Sequence, residues 1–331
     1  MQEIPSRTCA VLCLLLLTAF CLSPTVAVQG QDSIPVLPLD GTLDALALDP
    51  SERQPIESAL KSHDYPSAES ALLQSATKHP EVPLIYNYLG RIFFVDGKYL
   101  NAAIALKKAE VKQPLSEKDR FTLAMAYVAV DHPDWARPEL EKLTQVDPRN
   151  PLYPYWQGRL DYDKQSFSQA VTWFEKAIAL DSDFMKAYDN LGLCLESLGH
   201  FDEAIQQYQH AIRLNREHNT HSAWPSLNLG TLLVKLNRLE EAEPLFKESV
   251  QYDPNFAQAH YQFGVLLGKQ NKTAPAVEEL QRAATLDPAY SQPHYALARV
   301  YRQAGEIEQA KRELEIFARL KDKAAPAPQS E

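Results

Sequence analysis

The sequence predicts an all-α fold, an α-solenoid of about eight antiparallel helix pairs. Three observations predict it. An alanine recurs at a fixed interval: Ala68, Ala102, Ala136, Ala170 and Ala204 in steps of 34 residues, then, after one step of 38, Ala242, Ala276 and Ala310. Four residues after each stands a large apolar side chain: Leu72, Leu106, Leu140, Phe174, Tyr208, Phe246, Leu280 and Leu314. Twelve residues before each stands a small one in seven units: Gly90, Ala124, Gly158, Gly192, Gly230, Gly264 and Ala298, with Ile56 the exception. Registers that hold phase along a chain mark stacked repeats, whose units bury their apolar faces only against neighbours.

The N-terminus reads as a separate element. Arg7 precedes an apolar run, Thr8 to Leu22, and small residues Thr25-Val26-Ala27 follow. A basic start, a short apolar core and a small-residue exit describe a secretory signal peptide over residues 1–30. The run is shorter than the ~20 residues that span a bilayer. The protein is therefore expected to be exported, periplasmic or secreted, or membrane-anchored where the signal stays uncleaved. Three of the four cysteines lie in this segment, which leaves Cys194 alone in the mature chain and no internal disulfide framework.

Residues 31–48 read as a linker, interrupted by Pro35 and Pro38, with a turn at Gly41. The array follows, in units of about 49–82, 83–116, 117–150, 151–184, 185–222, 223–256, 257–290 and 291–322. Each unit holds two helical stripes. Tyr188, Leu191, Gly192 and Leu195 form one; Gly199 breaks it; Phe201, Ala204, Ile205, Tyr208, Ala211 and Ile212 form the next. Small residues let the paired helices approach closely, and the large residue is expected to fill the space between units. Pro80, Pro114, Pro148, Pro254 and Pro288 stop the second helices. The step of 38 predicts a longer second helix or a larger loop near Arg216–Ser222. Residues 323–331, KAAPAPQSE, read as a disordered tail.

The stretch Tyr188–Ile212, YDNLGLCLESLGHFDEAIQQYQHAI, resembles the tetratricopeptide repeat (TPR) family. The likeness runs over about Asp49–Lys323 and is closest from Tyr86 onward. It implies a right-handed superhelix lined on its inner surface by the first helix of each pair. It also implies that inward slots of those helices contact an extended peptide or a partner helix.

Composition narrows the function. The chain has 331 residues, 45% hydrophobic and 23% charged, with a net charge of −10 and no basic block. That argues against nucleic acid, which calls for clustered Lys and Arg. No phosphate-cradling glycine loop, zinc-type cysteine spacing or nucleophile elbow is present. The linker and tail are too short for a catalytic domain. The reading is non-enzymatic, with no cofactor and no metal. His218 and His221, with His210 upstream, read as exposed histidines at a helix end, and His260 and His294 as packing residues.

The inward slots supply the candidate partner-binding residues. One row is Tyr88, Thr122, Trp156, Asn190, Asn228 and Gln262. A neighbouring row is Arg91, Arg159 and Arg299, with Arg302 beside it. Tyr155, Trp156 and Tyr162 cluster with Arg159, and Tyr261 and Tyr295 lie further along. Amides suit an extended backbone, guanidiniums suit carboxylates, and aromatics with Arg make interface anchors. Lys186 and Asn190 match the family's carboxylate-clamp members only in part, because Asp189 and Glu196 flank them. The functional expectation is a protein-protein interaction scaffold. Alternatives are a self-associating structural protein, through Leu314, Phe317 and Leu320 of the last helix, or an accessory subunit of an envelope or polysaccharide assembly enzyme.

Overall fold

The computed structural model describes Leu46 and residues 48–324; the expected signal segment, most of the linker and most of the tail lie outside the described residues. Those residues form sixteen α-helices, and no strand occurs among them. The first eight are α1 (Pro50–Lys61), α2 (Tyr65–Lys78), α3 (Pro83–Val95), α4 (Tyr99–Glu110), α5 (Glu117–Ala129), α6 (Pro133–Val146), α7 (Leu152–Asp163) and α8 (Phe167–Leu180). The rest are α9 (Met185–Ser197), α10 (Phe201–Glu217), α11 (Trp224–Lys235), α12 (Leu239–Tyr252), α13 (Ala257–Lys269), α14 (Thr273–Leu286), α15 (Gln292–Gln303) and α16 (Ile307–Ala324). They pack as eight hairpins, each against the next, in an all-α solenoid. The core begins before α1, where Leu46 and Leu48 are already buried.

One turn geometry joins the two helices of every unit. The residue five before the repeat alanine lies in the left-handed region: His63, Gly97, Asp131, Gln165, Gly199, Asn237, Asn271 and Gly305, with φ from 58 to 82°. The next N–H then donates to the carbonyl five residues back, as from His200 to Leu195 at 2.8 Å. This Schellman closure satisfies carbonyls that the helix end would otherwise leave bare. Only three of the eight positions are glycine.

The small and large registers meet inside each unit. A Cβ on Gly192 would lie 2.6 Å from the Tyr208 ring, on Gly158 2.8 Å from Phe174, and on Gly230 2.8 Å from Phe246. Leu106 and Leu280 cover Gly90 and Gly264 in the same way. The large residue therefore fills the seam between the two helices of its own unit, which corrects the expectation that it fills the space between units. The units whose small residue is alanine, Ala124 and Ala298, carry leucine rather than a ring at the large slot.

The step of 38 produces both a longer helix and a tied loop. α10 has 17 residues where α8, α12 and α14 have 14. The buried Asn215 amide donates to the Ser222 carbonyl and accepts from the Ser222 N–H, each at 2.9 Å. That clasp closes the connection before α11 starts.

Candidate functional site

The odd-numbered helices form the inner tier. Besides packing on their even-numbered neighbours, α3 touches α5, α7 touches α9, α9 touches α11, α11 touches α13 and α13 touches α15. No pair of even-numbered helices comes as close among the described residues. Helices that converge on one side and diverge on the other curve the stack, so the odd helices present its inner surface.

In the first five units most of the candidate residues are built into the wall. Tyr88, Tyr155 and Trp156 are buried at 2–3% exposure, Thr122 is buried, and Asn190 is fully buried. Arg91 holds the buried Asp119 of α5 with two bonds, Nε at 2.6 Å and an η-nitrogen at 3.0 Å. Arg159 donates to Asn190 Oδ1 at 3.0 Å, and Asn190 Nδ2 donates to the Tyr155 hydroxyl at 3.3 Å. The aromatic cluster exists as expected: Tyr155 packs edge-on to Trp156, and the Arg159 guanidinium lies 5.8 Å from the half-buried Tyr162 ring. Arg91 and the Arg159–Asn190–Tyr155 set join neighbouring units to one another, and Tyr88, Tyr155, Trp156, Arg159 and Asn190 present little surface to a partner. Each of these arginines finds its acceptor on a later odd helix, about one repeat further along.

Towards the C-terminus the pattern changes. Asn228 is half-buried and donates to Asp189 at 3.1 Å, while Gln262 is half-buried. Tyr261 is half-buried and packs edge-on to Tyr290. Tyr295 is 48% exposed and lies against Phe317. Arg299 is exposed, and no odd helix follows α15 among the described residues to pair with it. Burial pushes the Tyr261 hydroxyl up, and the Arg299 guanidinium, close across the α13–α15 seam, pulls the other way. A cleft there is lined by Val265, Gly268, Lys269, Ala296, Arg299 and Gln303, among others. Sequence reasoning passed over Lys269 and Gln303. The signal that finds them is the absence of Asp and Glu from α11, α13 and α15.

The histidines separate into two groups. His260 Nδ1 lies 2.6 Å from Glu279 and its Nε2 3.1 Å from the Pro254 carbonyl. The Glu279 bond raises its pKa above the ordinary value, against the pull of burial. His294 repeats the pairing with Glu313 at 2.6 Å. His218 faces Asp183 at 3.7 Å, and His221 lies edge-on to Tyr252. Among the described residues no three His, Cys, Asp or Glu side chains converge as a metal site. Burial pushes the Cys194 thiol up to about 12, which leaves it un-ionised and inert near neutrality. No described helix is long and apolar enough to cross a membrane.

Family models described as tetratricopeptide repeat match residues 56–117, 183–255, 227–291 and 267–324, and one described as TPR repeat matches 158–199. The chain belongs to the tetratricopeptide repeat family. This TPR array is 31% identical over 124 residues to protein O-mannosyl-transferase Tmtc3 of Drosophila melanogaster, covering 37% of this chain and 13% of that protein. It is 26% identical over 186 residues to the peroxisomal targeting signal receptor of Saccharomyces cerevisiae, covering 52% of this chain and 29% of that one. The chain thus spans less than a third of either relative. A tetratricopeptide repeat protein from Parabacteroides merdae shares the fold, with a TM-score of 0.62 at 17% identity over 76% of this chain and 97% of that one.

Proposed function

We propose that this TPR protein is a non-enzymatic interaction scaffold that receives an extended peptide or a partner helix on the inner face of α11, α13 and α15. One observation carries the reading. Candidate side chains in the first five units are mostly buried, and Arg91, Tyr155, Arg159 and Asn190 are spent on contacts between units, whereas Tyr295 and Arg299 stand exposed on the same face further along. Exposed aromatics beside arginine make effective anchors because both bury large surface and bond directionally. One relative is by name a receptor for a targeting signal, which supports a peptide ligand.

Capture from the source's own extract tests this. Wild-type chain retains a partner, and Tyr295→Ala with Arg299→Ala loses it at unchanged helical content. Equal capture by the variant contradicts the placement. The reading of residues 1–30 as an export signal puts the scaffold outside the cytoplasm. N-terminal sequencing of the mature chain decides this: a start near residue 28 or 31 supports export, and an intact Met1 opposes a cleaved signal.

Self-association is a second reading. It rests on α16, where Leu314, Phe317 and Leu320 remain only half-buried at the end of the stack. Sedimentation separates the two: a dimer at micromolar concentration supports it, and a monomer counts against it.

A further inference from the structure

We infer that the inner face of α13 and α15 selects an acidic peptide segment, held through its Asp and Glu side chains. This deepens the scaffold reading above and rests on it. The whole chain carries −10, yet α11, α13 and α15 contain no acidic residue. Of the preceding odd helices only α3 also lacks Asp and Glu; Glu117 and Asp119 lie on α5, Asp161 and Asp163 on α7, Asp189 and Glu196 on α9. An unbroken run of three acid-free odd helices therefore begins at the boundary between α9 and α11.

The cations on the two sides of that boundary are used differently. Lys235 on α11 reaches back to Glu196 at 3.3 Å. Lys269, Arg299 and Arg302 are exposed and form no ion pair among the described residues. The outer-tier acids Glu279 and Glu313 are held by His260 and His294, and Glu243, which with Glu240 lines a groove on the α12 side of Lys269, is held by Lys247 and Lys272. Three cations with no ion-pair partner in an acidic protein attract negative charge to this face.

The geometry between them suits a carboxylate. The α13–α15 cleft holds about 40 Å³ and has Lys269 and Arg299 on its wall. Roughly 10–15 Å³ admits one water, so the space takes a group of a few heavy atoms and excludes a ring. Gly268 leaves bare backbone at the floor, where an added Cβ would meet Val300 at 3.1 Å. Arg299 can grip a carboxylate with two parallel bonds, and Lys269 adds a point charge. Three spread cations match several side-chain carboxylates; a single chain terminus would satisfy one.

Three blocked twelve-residue peptide libraries test the inference, with Glu, Gln or Lys fixed at alternate positions and the rest randomised. The wild-type chain should retain the Glu library at least tenfold more tightly than the Gln library, and raised salt should weaken it. Lys269→Glu with Arg299→Glu and Arg302→Glu should switch the preference to the Lys library. All three sites are exposed, and circular dichroism checks that the variant folds. Equal retention of the Glu and Gln libraries overturns the acidic preference and leaves the groove reading standing. Retention of no library overturns the groove reading as well. Binding of a DNA oligonucleotide or anionic vesicles as tightly as the Glu library also overturns the inference, because the surface would then be a general polyanion binder.

Discussion

Tyr208 lies across the bare backbone of Gly192, and a Cβ placed there would stand 2.6 Å from its ring. The ring is fully buried and has no room to swing away. Gly192→Ala should therefore destabilise the array by about 1–3 kcal/mol through overpacking, despite alanine's better helix propensity. The chain suggests its own remedy, because Ala124 and Ala298 occur with leucine at the large slot. Gly192→Ala with Tyr208→Leu should recover much of the loss relative to the two single changes added. A denaturation double-mutant cycle measures this coupling.

The left-handed turn position offers a test in the opposite direction. Gln165 sits at φ 58°, where a Cβ costs roughly 1–2 kcal/mol that glycine avoids. Gln165→Gly should raise the urea midpoint, and Gly199→Ala at the equivalent slot should lower it.

Equivalent arginines should differ in their effect on stability. Arg91→Ala strands the buried Asp119 carboxylate, left with the Ser116 hydroxyl and N-terminal helix contacts. Breaking such a pair costs about 3 kcal/mol. Arg299→Ala, at an exposed position, should stay within about 0.5 kcal/mol of wild type. Comparable losses from both changes would remove the distinction between a built-in wall and a free face.

His260 gives the array a pH dependence. Its folded pKa lies above the ordinary value of 6.5 because Glu279 favours the imidazolium. The pair therefore contributes fully below pH ~6.5 and loses its contribution as pH rises through the folded value. Melting temperature should fall over that interval, and His260→Gln should flatten the fall. NMR titration of the His260 ring reads the shift directly.

The repeat was legible because packing forces it: Gly192 must be small if Tyr208 is to cross it, and that demand returns every 34 residues. The use of the large slot was not legible, since spacing alone does not say which neighbour a side chain covers. The turn was half legible. Gly199 marks it, but Gln165 and His63 adopt the same conformation with no compositional sign. The candidate rows named residues that do lie on the inner tier. Burial divided them, and burial depends on whether a later helix supplies an acceptor, as Asp119 does for Arg91 and Asn190 for Arg159. Asn215 was missed because one buried amide in a polar connection looks like any other loop asparagine.

Hydrogen exchange on the chain with and without its captured partner tests the central claim most directly. The account predicts new protection concentrated on α11, α13 and α15, with the outer helices α10, α12 and α14 unchanged. Protection confined to those outer helices, or to α16 alone, would contradict it.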